Sequence, residues 1–468
     1  MSTKKGGKKD STPNGRVCSN CSAPEGSASA LKLSACARCS LVLYCSRDCQ
    51  RTHWKANHKQ HCIAKAERTP QQQSDAAVAN HDASSAPSTE GRCAICQDQL
   101  NAASATTLPC NHVFHKICVA ELRKYGIVQV CPLCRGPLPP GPEKIHEEAA
   151  RRYMVVLRQA VQGKASWAAL PASAQHELDA AIAGWRAAAG DGYASAQLAL
   201  GEMFAIGRGV AQSYEEAARL FKKASDQGHA QAQNNLGRLS RDGQGVAQSN
   251  AEAAKWYLKA ATQGLASAQH SLGLMYSNGQ GVKQSNTEAL KWYKKAAEQG
   301  FGPAQCNVGQ LYATGGGGGV AQSFVKAAQW YKKAAEQGIA LAQRTMGSFY
   351  YSGRGVEQSP VKAAQWYRKA AVQGDAESQH FLALQLYEGH GVAQSDKEAA
   401  LWWQKAAEQG NAEAQFNLGG LFQDGRGVTA KSDVEAVRWY KKAADQGHSG
   451  AQFCLKVLAS MGRGGAQM

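Results

Sequence analysis

A glutamine or aspartate followed by glycine recurs through the C-terminal half of this 468-residue chain, at Gly192, Gly228, Gly264, Gly300, Gly338, Gly374, Gly410 and Gly447. The intervals are 36, 36, 36, 38, 36, 36 and 37 residues. A helical unit of that length cannot bury its apolar face alone and must stack on its neighbours, so the period predicts a solenoid of helix pairs. In the unit HAQAQNNLGRLSRDGQGVAQSNAEAAKWYLKAATQG, Ala232 and Gly237 are small enough to admit a neighbouring helix, and Leu236 is the apolar contact. Asp242 to Gly245 end the first helix with glycine, the residue suited to positive φ. Ser249 to Glu252 read as a capping box opening the second helix, and Ser-x-x-Glu returns at Ser213, Ser285, Ser395 and Ser432. The pair Trp256 and Tyr257 recurs as Trp292-Tyr293, Trp330-Tyr331, Trp366-Tyr367 and Trp439-Tyr440 and is read as core.

This unit resembles the Sel-one-like repeat, a relative of the tetratricopeptide repeat, and seven copies cover residues 193–447. The resemblance implies a curved surface that receives protein partners. Residues 143–191 hold two helical stretches and read as an N-terminal cap, with Trp185 at the place of Tyr257. The solenoid is expected over 192–458, with a disordered tail over 459–468. Two loops are lengthened, at Gly315–Gly319 and Thr429–Lys431, without the Lys-Ser/Thr of a phosphate-binding loop. Cys306 and Cys454 read as small core residues.

The front of the chain is built differently. Between residues 93 and 135 run CAIC, CNHVFHKIC and CPLCR, which supply Cys93, Cys96, Cys110, His112, His115, Cys118, Cys131 and Cys134. Ligands two residues apart suit tetrahedral zinc, because a tight turn aims both at one ion. The stretch resembles the RING finger in its two-histidine form, expected over 91–137. That resemblance implies a cross-brace, with Cys93, Cys96, His115 and Cys118 on one zinc and Cys110, His112, Cys131 and Cys134 on the other. Every ligand is then used, so the ions are structural and offer no open position for hydrolysis. The resemblance further implies docking of a ubiquitin-conjugating enzyme through Ile95, Leu122, Pro132 and Arg135, Leu122 standing where many relatives have tryptophan. Such a ligase acts by positioning a thioester and has no catalytic nucleophile of its own.

Cys18, Cys21, Cys36, Cys39, Cys45, Cys49, His58 and Cys62 form a second set of eight. With YCSRDCQ and HWKANHKQHC they resemble a MYND finger, expected over 16–63, which implies two further zincs and a surface that grips a protein segment. Cys18, Cys21, Cys45 and Cys49 would share one ion, and Cys36, Cys39, His58 and Cys62 the other. His53 and His61 are alternatives to His58, which is taken because it lies four residues before Cys62, on one face of a short helix. Residues 64–90 read as a flexible linker and 1–15 as a disordered basic tail.

Thirteen of the 15 cysteines precede residue 135, which fits zinc-bound thiolates in a reducing cytoplasm or nucleus and not a secreted disulfide framework. No apolar run approaches the ~20 residues that cross a bilayer, and the N-terminus reads as no secretory signal, so no membrane insertion is expected. The formal charge is +17; four divalent ions and 13 thiolates change it by −5, to about +12. No recognised nucleic-acid module accompanies that charge, and nucleic acid is not the expected partner. The expectation is a mostly α protein, two zinc-stabilised cross-brace modules followed by an α-solenoid, acting as a RING-type ubiquitin ligase or as a non-catalytic interaction scaffold.

Overall fold

The computed structural model describes residues 34–35, 43–44, 93, 95, 99–100, 105–125, 130–131, 133–134, 138–162, 167, 169–317 and 319–463. They belong to two compact units, residues 1–196 and 197–468.

In the first unit, β1 (Ser34–Ala35) pairs antiparallel with β2 (Leu43–Tyr44). A second hairpin joins β3 (Ala105–Thr107) to β4 (Val113–His115), with Thr106 opposite Phe114, and runs directly into α1 (Lys116–Tyr125). Its core is small: Leu108, Phe114 and Val119 are fully buried around the cysteines. Next come α2 (Pro142–Val161), opened by proline at its first position, and α3 (Ala172–Gly190). The two pack closely because Gly184 faces Ala149, where a Cβ would sit 3.1 Å away. Trp185 is buried with its ring 5.4 Å from that of Tyr153.

The second unit is the helical array. Ala230–Asp242 and Asn250–Thr262 show its logic. Gly237 meets the ring of Tyr257, whose Cε1 lies 2.9 Å from where a Cβ would be, so the second helix presses its tyrosine against bare backbone. Gly201 with Phe221, Gly273 with Tyr293, Gly347 with Tyr367 and Gly419 with Tyr440 repeat the contact. Burial pushes the phenols of Tyr293, Tyr331 and Tyr367 up to about 12. The first helix stops at Gly243, which has φ 69°. The second glycine of five Gly-x-Gly loops has another task. Gly245, Gly281, Gly355, Gly391 and Gly427 lie against the backbone that opens the preceding unit's second helix, where any Cβ would collide.

The capping box is half used. Ser249 Oγ accepts the Glu252 N–H at 3.2 Å, and Ser323 and Ser359 cap Lys326 and Lys362 in the same way without a glutamate. The serine N–H is not bonded back by the glutamate; it donates to the first helix, as Ser249 does to the Ser240 carbonyl at 2.7 Å. Glu252 and Glu288 are thereby free to pair with Lys255 and Lys291, each at 2.5 Å. The aromatic pair also divides. Tyr257 and its equivalents are core, but Trp256, Trp292, Trp330, Trp366 and Trp402 are only half-buried, each under a lysine, and only Trp439 of that series is buried.

A feature absent from the sequence reading runs through the array. The first helices from Ala230–Asp242 to Ala412–Asp424 each bury a glutamine whose amide donates to a carbonyl of the preceding second helix, as Gln269 Nε2 does to the Ala261 oxygen at 3.1 Å. Its own carbonyl accepts from the glutamine before the periodic glycine, Gln299 to Gln269 at 2.8 Å. The pairs Gln263–Gln233, Gln373–Gln343 and Gln409–Gln379 repeat the arrangement. The array also continues past 458. The last helix is Ser449–Ser460, and Arg463 binds Asp433 in bidentate fashion at 2.8 and 3.0 Å.

Gly281→Ala is expected to cost about 2 kcal/mol or more, positive φ adding ~1–2 kcal/mol to a backbone collision with Asn250. Gly300→Ala carries only the φ strain, because nothing lies within 4 Å of it. Urea midpoints of the two variants check the order.

Candidate metal centre

Among the described residues of the Cys/His stretch, one non-glycine residue has positive φ. Asn111 sits at φ 60° between Cys110 and His112, its N–H donating to the Leu108 carbonyl at 2.9 Å. Asparagine tolerates this conformation, and the turn leaves Cys110 and His112 facing one point. Cys131 and Cys134 converge there, so that the four ligand atoms lie within 4.8 Å of one another. His112 Nδ1 is 3.4 Å from Cys110 Sγ and 3.6 Å from Cys131 Sγ. Tetrahedral zinc, with Zn–S about 2.3 Å and Zn–N about 2.0 Å, sets such atoms about 3.5 Å apart. The donor set therefore fits the ion in chemistry and in size.

The second cluster joins Cys93, His115 and Cys118, all buried. His115 ends β4 and Cys118 lies in the first turn of α1, so a three-residue step on a helix start places both on one side. The His115 N–H lies 3.4 Å from Cys93 Sγ. Its Nε2 is 3.0 Å from the Gln99 carbonyl, and donation there fixes the tautomer that leaves Nδ1 as the ligand atom. Cys96, the expected fourth ligand, is outside the described residues, as are Cys18, Cys21, Cys36, Cys39, Cys45, Cys49, His58 and Cys62.

Electrostatics makes the need for a cation explicit. Burial pushes the Cys131 thiol up to about 11. Burial also acts to raise Cys110, but its hydrogen bonds with His112 bring it down to about 6. A bound divalent ion would hold all these sulfurs as thiolates.

The expected docking residues separate. Ile95 is 2% exposed and packs in the small core with Phe114 and Val119, so it is not a surface contact. It lies two residues from the buried Cys93 and fills the same small core. Leu122 is half-buried against the same core, and Pro132 and Arg135 lie outside the described residues. Leu133 and Ile117 are exposed. Among the described residues no helix is long and apolar enough to cross a membrane.

Comparison with known families agrees with this geometry. The MYND finger matches residues 18–62, the Ring finger domain matches 91–135, and the Sel1 repeat matches seven times between 194 and 448. A protective antigen of uropathogenic Escherichia coli that displays an SLR fold is 34% identical, over 69% of this chain and 68% of its own, with TM-score 0.58. A Sel1 repeat protein from Oxalobacter formigenes is 35% identical over 53% of this chain and 96% of its own, with TM-score 0.46.

Replacing Cys131 and Cys134 together by serine is expected to lower bound zinc by about one ion per chain relative to the unmodified protein. The far-UV helical signal, which comes mainly from the array, should stay. Metal released on thiol modification, read with a chromogenic chelator, checks the first statement and circular dichroism the second.

Proposed function

The chain belongs to the Sel1-repeat family and carries a MYND finger and a RING finger ahead of its repeats, and from that premise we propose that it is a RING-type ubiquitin-protein ligase. The coarser reading, a zinc-finger protein of protein–protein interaction, follows from the three matched modules themselves. In the proposal the RING recruits a ubiquitin-charged conjugating enzyme, while the repeats and the MYND finger bind the protein to be modified. Four zincs, two in each finger, serve as folding elements, held by the sixteen cysteines and histidines of the two sets.

The observation that carries the proposal is the pair of interleaved clusters. Cys110 and His112 in the hairpin turn and Cys131 and Cys134 beyond the helix enclose β4 and α1, whose His115 and Cys118 meet Cys93, so each zinc would lock what the other holds. A platform of this kind has no reacting group. It catalyses by holding a thioester in a reactive conformation, which Arg135 would favour by hydrogen-bonding ubiquitin and its conjugating enzyme. Leu122, Pro132 and the exposed Leu133 would form the apolar contact.

The burial of Ile95 favours a second reading, because it removes one of the four contacts expected of an active RING. In that reading the modules assemble a complex without transferring ubiquitin.

Self-ubiquitination in a purified reaction with a panel of conjugating enzymes separates the two. Transfer is expected with wild type and none with Cys93→Ser. Arg135→Ala should remain folded and slow about tenfold or more, the rate equivalent of one ~1.5 kcal/mol hydrogen bond to a charged group. Zinc-loaded wild type that transfers no ubiquitin with any conjugating enzyme would leave the scaffold reading standing.

A further inference from the structure

The second helices of the array do not share charge equally. The outer ones are nearly balanced: Tyr214–Asp226 has three cations and three acids, Asn250–Thr262 two and one, Asp396–Glu408 two and three, Asp433–Asp445 three and three. The central three, Asn286–Glu298, Phe324–Glu336 and Pro360–Val372, together carry nine lysines and arginines against three glutamates. Their partner first helices, Ala266–Asn278, Gly302–Thr314 and Ala340–Ser352, contain one charged residue in all, Arg344, and Asp375 already pairs with it. The excess therefore belongs to one side of the helix pairs in the middle of the array.

How these cations are held matters more than their number. Lys295, Lys333 and Lys369 occupy the same position in successive second helices, with the ammonium 4.2, 4.3 and 4.0 Å from the ring centroids of Trp292, Trp330 and Trp366. Lys326 and Lys362 lie 5.5 and 5.4 Å from Tyr312 and Tyr350. A carboxylate that orients a lysine also cancels its charge. An aromatic ring orients it, at ~0.5–1 kcal/mol for an exposed pair, and leaves the charge whole. Of the three acids, Glu288 pairs with Lys291 and Glu336 lies 3.8 Å from Lys332, neither touching these five lysines, and Arg368 lies 3.7 Å from Glu398 of the next unit.

We propose that this face, the second helices of residues 286–372, binds an acidic segment of a partner protein, its carboxylates pairing with the ring-held lysines. The proposal rests on the reading of the array as the receptor for a protein to be modified, and it names that protein's recognised chemistry. Pre-positioned point charges suit carboxylates, which need no planar fork. Nucleic acid is the less favoured polyanion, since base stacking needs open aromatic faces and the tryptophans here are covered by lysine. Arg368 is the only arginine among the nine cations.

The test is fluorescence anisotropy of a labelled peptide of alternating aspartate and glutamate, about sixteen residues and thus roughly 50 Å when extended, titrated with the full chain. Wild type should bind, more weakly as salt is raised. The triple variant Lys295→Gln, Lys333→Gln, Lys369→Gln should lose about fivefold or more in affinity. Lys283→Gln, Lys431→Gln, Lys456→Gln removes the same charge from exposed positions outside these helices and should lose less than about twofold. Thermal unfolding establishes that both triples are folded. Equal losses in the two triples, or no binding by wild type, would overturn the proposal. So would tighter binding of an oligouridylate of matched length that is lost in the first triple, which would make the face a nucleic-acid site. No ubiquitin is transferred in this assay, so intact peptide binding in a protein inactive as a ligase refutes the ligase reading alone.

Discussion

Everything in the array depends on one backbone contact. The second glycine of five Gly-x-Gly loops touches the peptide unit that opens the preceding second helix, with Gly281 on Asn250 and Gly355 on Phe324. No side chain can intervene at these joints, so the approach of one unit to the next is set there by van der Waals contact of main chains. The Gly237–Tyr257 contact fixes the two helices within a unit by the same means. Once both distances are fixed, polar groups can be buried safely, because each has a partner at a known place. Gln269 shows this: its amide and carbonyl both meet partners, which makes the buried amide a tie between units and removes the desolvation cost it would otherwise carry.

The front of the chain solves a different problem. Some 40 residues cannot bury enough surface to repay their conformational entropy. Leu108, Phe114 and Val119 are too few to hold a hairpin and a helix together without another bond. Zinc coordination at the two clusters would supply it, and their interleaving would keep either half of the stretch from opening alone. The same economy explains Ile95. In so small a core an apolar residue near Cys93 serves as filling, which leaves less of it for a partner.

The two regions were not equally legible in the sequence. Glycine spacing and the serine caps locate the helices, because each is a local signal: a stop, a start and a fixed interval between. The clustering of Cys110, His112, Cys131 and Cys134 is legible for a similar reason, since close-spaced ligands need one turn each. What stayed hidden needed two units at once. Gln269 reads as an ordinary polar residue until its partners Ala261 and Gln299 are in place. Trp256 and Tyr257 are adjacent and equally aromatic, and only the position of the next helix decides that one is enclosed and the other lies half-open under Lys259.

The lengthened loop at Gly315–Gly319 shows where such an array can change. It replaces the regular Gly-x-Gly joint, and Gly319 meets only the Thr287 methyl, not a main chain. A substitute contact appears: the Asn286 amide donates to the Gly316 carbonyl, at the same opening turn that a second glycine would have touched. The apolar core passes beneath it unbroken, running from Ala289 through Val308 and Tyr331 to Phe349. Two added residues cost only a few tenths of a kcal/mol in loop closure, far less than a gap in that core. The added residues are therefore taken up at the loop edge, while the outward faces of the helices are where the central units carry their excess of lysine.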